Sequence, residues 1–315
     1  MKRIRKLLKG ILLIAAVLAV LLAAVYLNHR LRLAQERALR APLGTLVEVD
    51  GHHMSVYTEG EGDKTLVFLS GGGTCSPILD FRSLYATLTD RYRIVVVEKF
   101  GYGFSDTVDR ERDIATILQD TRAALAGAGL RGPYVLCPHS LSGLEALYWA
   151  QQYPQEVEAV IGLDMAVPAM YEDYSIQMPM LRLSQLAARL GVTRLLPGIA
   201  LSDAIQYGTL SDAEKEIYRA VFYDKTATVT MLSEAQAARA NAELVQRGGV
   251  PQVPMLLFAS NGEGTGWDAD AWLAYQHSFA AQVADGRLVC LPCPHYVHAH
   301  AYQVISAEIR AFLAE

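Results

Sequence analysis

Apolar positions fall into two kinds of run. The first, GILLIAAVLAVLLAAVYLNH from Gly10 to His29, carries no charge and has no polar face. Twenty helical residues rise about 30 Å, the thickness of a bilayer's hydrocarbon core. A helix packed on a soluble domain would keep a polar stripe toward water, so the pattern predicts a membrane-spanning helix. Lys2, Arg3, Arg5, Lys6 and Lys9 precede it, and Arg30, Arg32, Arg37 and Arg40 follow. The basic excess before the span favours a cytoplasmic N-terminus by a narrow margin. Small residues at −3 and −1 of a cleavage site are missing after the run (LLAAVYLN), and a cut at Ala19, preceded by Val17, would fall inside it. Residues 1–40 therefore predict a basic segment plus an uncleaved signal anchor, contacting the bilayer through residues 10–29. The expected location is the cell membrane, single-pass, with the larger domain outside the cytoplasm.

The second kind of run is short and β-branched. TLVFLS (65–70), YRIVVVE (92–98), PYVLC (133–137), AVIGLD (159–164), MLLFAS (255–260) and RLVCLP (287–292) are apolar on successive positions, as strands covered on both faces should be. TLVEVDGHHMSVYTE (45–59) alternates about Asp50-Gly51 and predicts a hairpin. Helical patterns such as DIATILQDTRAALAGAG and LSGLEALYWAQQYP separate the later strands. The expected fold class is α/β, with a mostly parallel central sheet and helices on both faces. Residues 166–250 break the alternation. They hold a Ser211/Glu214 capping box before SDAEKEIYRAVFY, and a long helix ending on Gly248-Gly249. The predicted organisation is a core of 41–165 and 251–315, interrupted by a helical cap at 166–250.

Charge narrows the partners. Beyond residue 40 the chain has 19 basic and 32 acidic side chains, a net −13. Nucleic acid is excluded, because phosphate binding needs a basic face. Four cysteines, Cys75, Cys137, Cys290 and Cys293, are too few for a disulfide scaffold. The CLPC at 290–293 could close a small disulfide in an oxidising compartment. It follows a strand and leads into a loop, whereas a redox motif opens a helix.

Candidate chemistry lies at the strand ends. LSGGGT (69–74), EKFGYGFSD (98–106), PHSLSG (138–143) and CPHYVHAHAYQVISAEIRAFL (293–313) each follow a predicted strand. In these stretches the chain resembles the α/β-hydrolase superfamily across nearly all of residues 45–315, and is similar to capped members such as carboxylesterases and proline iminopeptidases. The likeness implies an oxyanion loop, the D-x-x-G-x-G-x-S segment, a nucleophile elbow and a terminal histidine loop, in that order. The chain departs from the pattern at four positions. Pro138 and Ser142 stand for the two glycines of G-x-S-x-G, Ser70 for the histidine before the oxyanion glycine, and Glu98 for the aspartate. None of these changes removes an atom that acyl transfer needs.

Such a reaction requires a nucleophile, a base, an acid to orient the base, and oxyanion donors. The resemblance implies Ser140 as nucleophile and His295 as base, with the N–H groups of Leu141 and of Gly72 (or Gly73) as donors. Glu263, in SNGEG just past a strand, is the candidate acid, giving the chain order serine, acid, histidine. Asp164, ending the preceding core strand, is the alternative acid. Glu145, on the helix after Ser140, reads as a packing residue. His298 and His300 read as helix-start residues, since no carboxylate or cysteine spacing completes a four-ligand metal site with them. No cofactor is implied, and a serine at the elbow argues against the dehalogenase branch, which uses aspartate there. The expected function is a membrane-anchored serine hydrolase acting on an ester or other acyl bond of a small-molecule substrate. Met165, Met170, Met178, Met180, Leu181 and Met231 could line an acyl pocket, though methionine faces more often pack on a core. Two alternatives are an aminopeptidase similar to proline iminopeptidases, with Glu145, Glu172 or Asp173 holding the amine, and a non-catalytic binding or signalling protein.

Overall fold

The computed structural model describes residues 2–172, 174 and 176–314; Asp173 lies outside them. Eight strands form one sheet: β1 (Thr45–Val49), β2 (His52–Glu59), β3 (Thr65–Leu69), β4 (Arg93–Glu98), β5 (Tyr134–Pro138), β6 (Val157–Leu163), β7 (Met255–Ala259) and β8 (Gly286–Cys290). Their spatial order is β1-β2-β4-β3-β5-β6-β7-β8. β1 pairs antiparallel with β2, and β2 with β4; every later pairing is parallel. The hairpin turns where the sequence puts it, with Asp50 and Gly51 both at positive φ.

The helices are α1 (Lys2–Gln35), α2 (Pro77–Asp80), α3 (Arg82–Tyr85), α4 (Ile114–Gly127), α5 (Ser142–Gln152), α6 (Met178–Leu190), α7 (Asp203–Gln206), α8 (Asp212–Lys225), α9 (Val229–Gly248), α10 (Ala269–Ala280), α11 (Val297–His300) and α12 (Tyr302–Phe312). Alternate residues of each central strand feed opposite layers. Val67, Leu69, Val95, Val97 and Leu136 pack with α4, α5 and α10, while Leu66, Phe68, Ile94, Val96 and Val135 pack with α2, α3 and α12. The nearly continuous apolar runs in the sequence thus reflect a sheet buried on both faces.

Helices α6–α9 all lie between β6 and β7. The Ser211/Glu214 capping box starts α8, and the Thr228 side chain caps α9 by accepting from the Met231 N–H. Helix α1 is exposed along its apolar stretch and is long and apolar enough to cross a membrane. All four cysteines are free thiols, so Cys290 and Cys293 are not bridged.

Candidate active site

In the parallel part of the sheet all strands point one way, so their C-terminal ends share one edge, where open α/β sheets bind ligands. The loops after β3, β4, β5, β6, β7 and β8 carry Gly72, Lys99, Ser140, Asp164, Glu263 and His295 respectively.

Four non-glycine residues take positive φ among the described residues, and two of them sit at these strand ends: Ser140 (φ 52°) and Asp164 (φ 49°). Each such conformation costs about 1–3 kcal/mol and persists only where neighbours enforce it. At Ser140 the enforcement is local. The His139 N–H donates to Leu69 O at 2.9 Å, while Ser140 O accepts from the Gly143 N–H (2.9 Å) and the Ala166 N–H (2.8 Å). The half-buried serine is therefore held on a sharp turn between β5 and α5. Glycine at 71 permits this turn, because a Cβ there would lie 2.7 Å from the Ser140 Cβ. Next along, Gly72 faces the Leu141 side chain at 3.1 Å from where its own Cβ would be. Among the described residues, the N–H groups of Gly72 and Leu141 make no hydrogen bond.

The carboxylate that meets His295 belongs to Asp164. Its Oδ2 is 2.6 Å from His295 Nδ1, while Oδ1 accepts from the Trp272 Nε1–H (2.8 Å) and the Ser260 N–H (2.7 Å). Asp164 is fully buried, and its own N–H donates to Phe258 O. A desolvated carboxylate needs such donors to remain charged. The expectation for Glu263 is corrected here. Its side chain is exposed, and it meets His295 through the main chain, with the His295 N–H donating to Glu263 O at 2.9 Å. The glycine-rich loop shapes the histidine's backbone, and the left-handed turn after β6 turns Asp164 toward the ring.

Buried His139, the residue before Ser140, stacks on His295 with ring centroids 4.6 Å apart, and its Nε2 lies 3.2 Å from His295 O. This contact brings the histidine loop against the serine turn. Burial, and then the neighbouring His295 and His298, hold the His139 pKa well below its ordinary value. His298 is not simply a helix-start residue. It is buried against Phe81 and His139, and burial lowers its pKa to about 3. His300, by contrast, pairs with Asp203 at 2.9 Å.

One departure from the elbow motif, Ser142, ties neighbouring loops together. Ser142 Oγ donates to the main-chain carbonyl of Ser70 and accepts from Lys99 Nζ at 3.5 Å, so Ser142 ties the start of α5 to the loop after β3, while the buried Ser70 hydroxyl makes no hydrogen bond among the described residues. Lys99 forms a buried ion pair with Glu234 of α9, whose other oxygen accepts from the Tyr102 hydroxyl at 2.6 Å. That hydroxyl in turn accepts from the Gly73 N–H at 3.3 Å. Glu98, standing where aspartate is usual, accepts from the Phe104 N–H at 2.8 Å, and burial pushes its pKa up to about 7. Lys99, Glu234, Ser260 and Trp272 all escaped the sequence reading. Lys99 and Ser260 flank quoted strand ends, but no local signal names their distant partners.

Of the residues considered for substrate, Met165, Met170 and Met231 are buried, with Met165 and Met170 packed in the core. Met178 and Leu181 are half-buried, and Met180 is exposed. Glu145 is buried and accepts from Thr121 Oγ1 at 2.6 Å, while Glu172 is exposed.

Residues 64–213 match the family described as alpha/beta hydrolase fold. The Bacillus subtilis (strain 168) protein named "Uncharacterized protein YbdG" is 36% identical over 263 residues, covering 82% of this chain and 81% of its own. The chain belongs to the alpha/beta hydrolase fold family. A shorter stretch of 118 residues is 29% identical to the 2-(acetamidomethylene)succinate hydrolase of Mesorhizobium japonicum, covering 38% of this chain and 41% of that protein. Among solved structures, the enol-lactonase from Burkholderia xenovorans LB400 superimposes with a TM-score of 0.65 at 17% identity, covering 86% of this chain and 100% of that one. The alpha/beta hydrolase fold accounts for the sheet order and for the strand-end position of every candidate residue.

Proposed function

We propose that the protein is a membrane-anchored serine hydrolase that cleaves an ester or other acyl bond through an acyl-enzyme. The observation that carries this reading is the left-handed Ser140 turn, joined through His139 to a histidine whose Nδ1 is held by the buried Asp164 carboxylate. Ser140 Oγ attacks the acyl carbon as His295 Nε2 takes its proton. The N–H groups of Leu141 and Gly72 receive the oxyanion. His295 then protonates the leaving group, and a water activated by the same nitrogen releases the acid. Asp164 keeps the ring's proton on Nδ1, so that Nε2 is free to accept. The chemistry needs no cofactor.

The apolar α1 supports a tether, with the catalytic domain on the extracytoplasmic side. Residues 166–250 act as the cap. The acyl class is favoured over an aminopeptidase because, of the described carboxylates considered for an amine, Glu145 is buried and accepts from Thr121 and Glu172 is exposed.

The test is covalent. The full chain in mild detergent is treated with a fluorophosphonate probe, and peptide mass analysis locates the adduct. Labelling at Ser140 that is lost in Ser140→Ala and slowed in His295→Ala is expected. A folded protein that takes no label would overturn the enzyme reading in favour of a binding protein.

A further inference from the structure

The insertion carries an apolar surface with no partner among the described residues. On α6, Leu183 and Leu186 recur at helical spacing and are both more than half exposed. The segment after it adds exposed Leu195, Leu196, Ile199 and Leu201. A monomeric soluble domain rarely leaves so many large apolar side chains together in water. The same stretch is the electrostatic exception in an acidic domain. Residues 174–202 contain Arg182, Arg189 and Arg194 and no aspartate or glutamate.

The position of α1 indicates what covers this surface. The helix does not leave the domain through a free linker. Half-buried Val25, buried His29 and half-buried Leu33 recur every four residues on one face, and α1 packs on α6, on α8 and on the turn at residues 192–195. Gly191, at the end of α6, abuts His29 so closely that a Cβ there would lie 2.3 Å from the His29 Cβ. Arg194 clamps Glu36 through two hydrogen bonds of 2.8 and 2.6 Å, and donates to His29 Nδ1 at 3.0 Å. The uncharged run ends at His29, so the contact face starts about one turn inside it, roughly 6 Å along the axis at 1.5 Å per residue. A rigid body gripping the helix at that height lies at the lipid boundary, where interfacial helices bury their apolar faces about 5–10 Å deep.

We propose that the apolar face formed by α6 and residues 195–201 is seated in the bilayer surface beside α1, with Arg182, Arg189, Arg30 and Arg32 at the level of anionic headgroups. The proposal rests on α1 spanning the membrane, and it goes further by fixing how the catalytic domain lies. The cap, rather than the opposite side of the sheet, faces the lipid. Basic residues are attracted to anionic headgroups, and the exposed leucines supply the apolar contact.

The test uses the full chain with Cys290→Ser and Cys293→Ser, in vesicles of phosphatidylcholine and phosphatidylglycerol. Nitroxide labels are introduced one at a time through Leu21→Cys, Leu186→Cys, Leu196→Cys and Glu61→Cys. Collision with oxygen, which partitions into lipid, is compared with collision with a water-soluble nickel chelate. The expected result is a lipid-like oxygen preference at residues 21, 186 and 196, and nickel access at residue 61. If 186 and 196 behave like 61 while 21 remains in lipid, the proposal fails and the anchor stands. If 21 also reads as aqueous, the anchor reading fails with it. Labels at 186 or 196 shielded from both reagents, with spin–spin broadening that disappears on dilution with unlabelled protein, would assign the face to a second copy and overturn the bilayer assignment.

Discussion

Replacing Asp164 by asparagine separates the two candidate acids by one proton. Asp164 Oδ1 accepts from two buried donors, Trp272 Nε1–H and the Ser260 N–H. In Asp164→Asn the amide oxygen must take that position, because placing NH2 there would leave both donors unmet at about 1–3 kcal/mol each. The NH2 then faces His295 Nδ1, 2.6 Å from the present Oδ2. Nδ1 must accept, the ring proton moves to Nε2, and the nitrogen that should take the serine proton is already occupied. The expected loss in kcat is about 10⁴-fold, as this replacement gives in a serine–histidine–aspartate site, equivalent to about 5.4 kcal/mol of barrier. Glu263→Gln alters an exposed side chain, and activity should stay within about twofold. The assay is hydrolysis of a soluble p-nitrophenyl ester, with the fluorophosphonate labelling rate in parallel and circular dichroism to verify folding. A folded Asp164→Asn protein that retains activity within about tenfold, or a Glu263→Gln protein that loses more than about 100-fold, would refute the assignment of Asp164 as the acid.

Two further outcomes follow from buried charge. Burial raises Glu98 from an ordinary 4.5 to about 7, so between those values the folded protein binds more protons than the unfolded chain. Stability is therefore greatest below about pH 4.5 for this group and falls by about 3 kcal/mol as pH rises through 7. The difference in urea midpoint between the protein and Glu98→Gln should show the decline across pH 5–8, because in the total His139 and His298, held below their ordinary values, give the opposite slope up to about pH 6.5, while Asp80, which burial raises to about 8, adds to it. Glu234→Gln should leave the Lys99 cation buried without its counter-charge and cost about 3–5 kcal/mol in a denaturant melt. Adding Lys99→Met should recover most of that loss, whereas equal loss in the double variant would mean that the ion pair is not what holds α9.

The sheet was legible because its strands are buried on both faces. MLLFAS and RIVVVE have no polar alternation to confuse with a helix, and Asp50-Gly51 announces its own turn. The elbow was legible as a strand-to-helix junction despite Pro138 and Ser142. The acid was not. Asp164 and Glu263 both follow a core strand in chain order before His295, and sequence position alone favoured the second. What sets Asp164 rather than Glu263 against His295 Nδ1 is three-dimensional: a φ of 49° at Asp164 and an indole donor 108 residues downstream. The motif departures were opaque for the same reason. The Ser142 hydroxyl makes sense as a donor to the main-chain carbonyl of Ser70, but 72 residues separate them. Lys99 reads as a surface lysine until Glu234 arrives from the inserted helices.

That last contact limits how the insertion can be exchanged. Helical insertions on a shared core invite treatment as cassettes, to be swapped between relatives to change the substrate. Here the core contributes Lys99 and Tyr102 to a carboxylate that belongs to α9, and the same lysine reaches Ser142 at the start of α5. A transplanted segment without Glu234 would strand a cation beneath the elbow, and this segment on a core lacking Lys99 would strand an anion. The unit to exchange is therefore the insertion together with the turn after β4 and the first residue of α5.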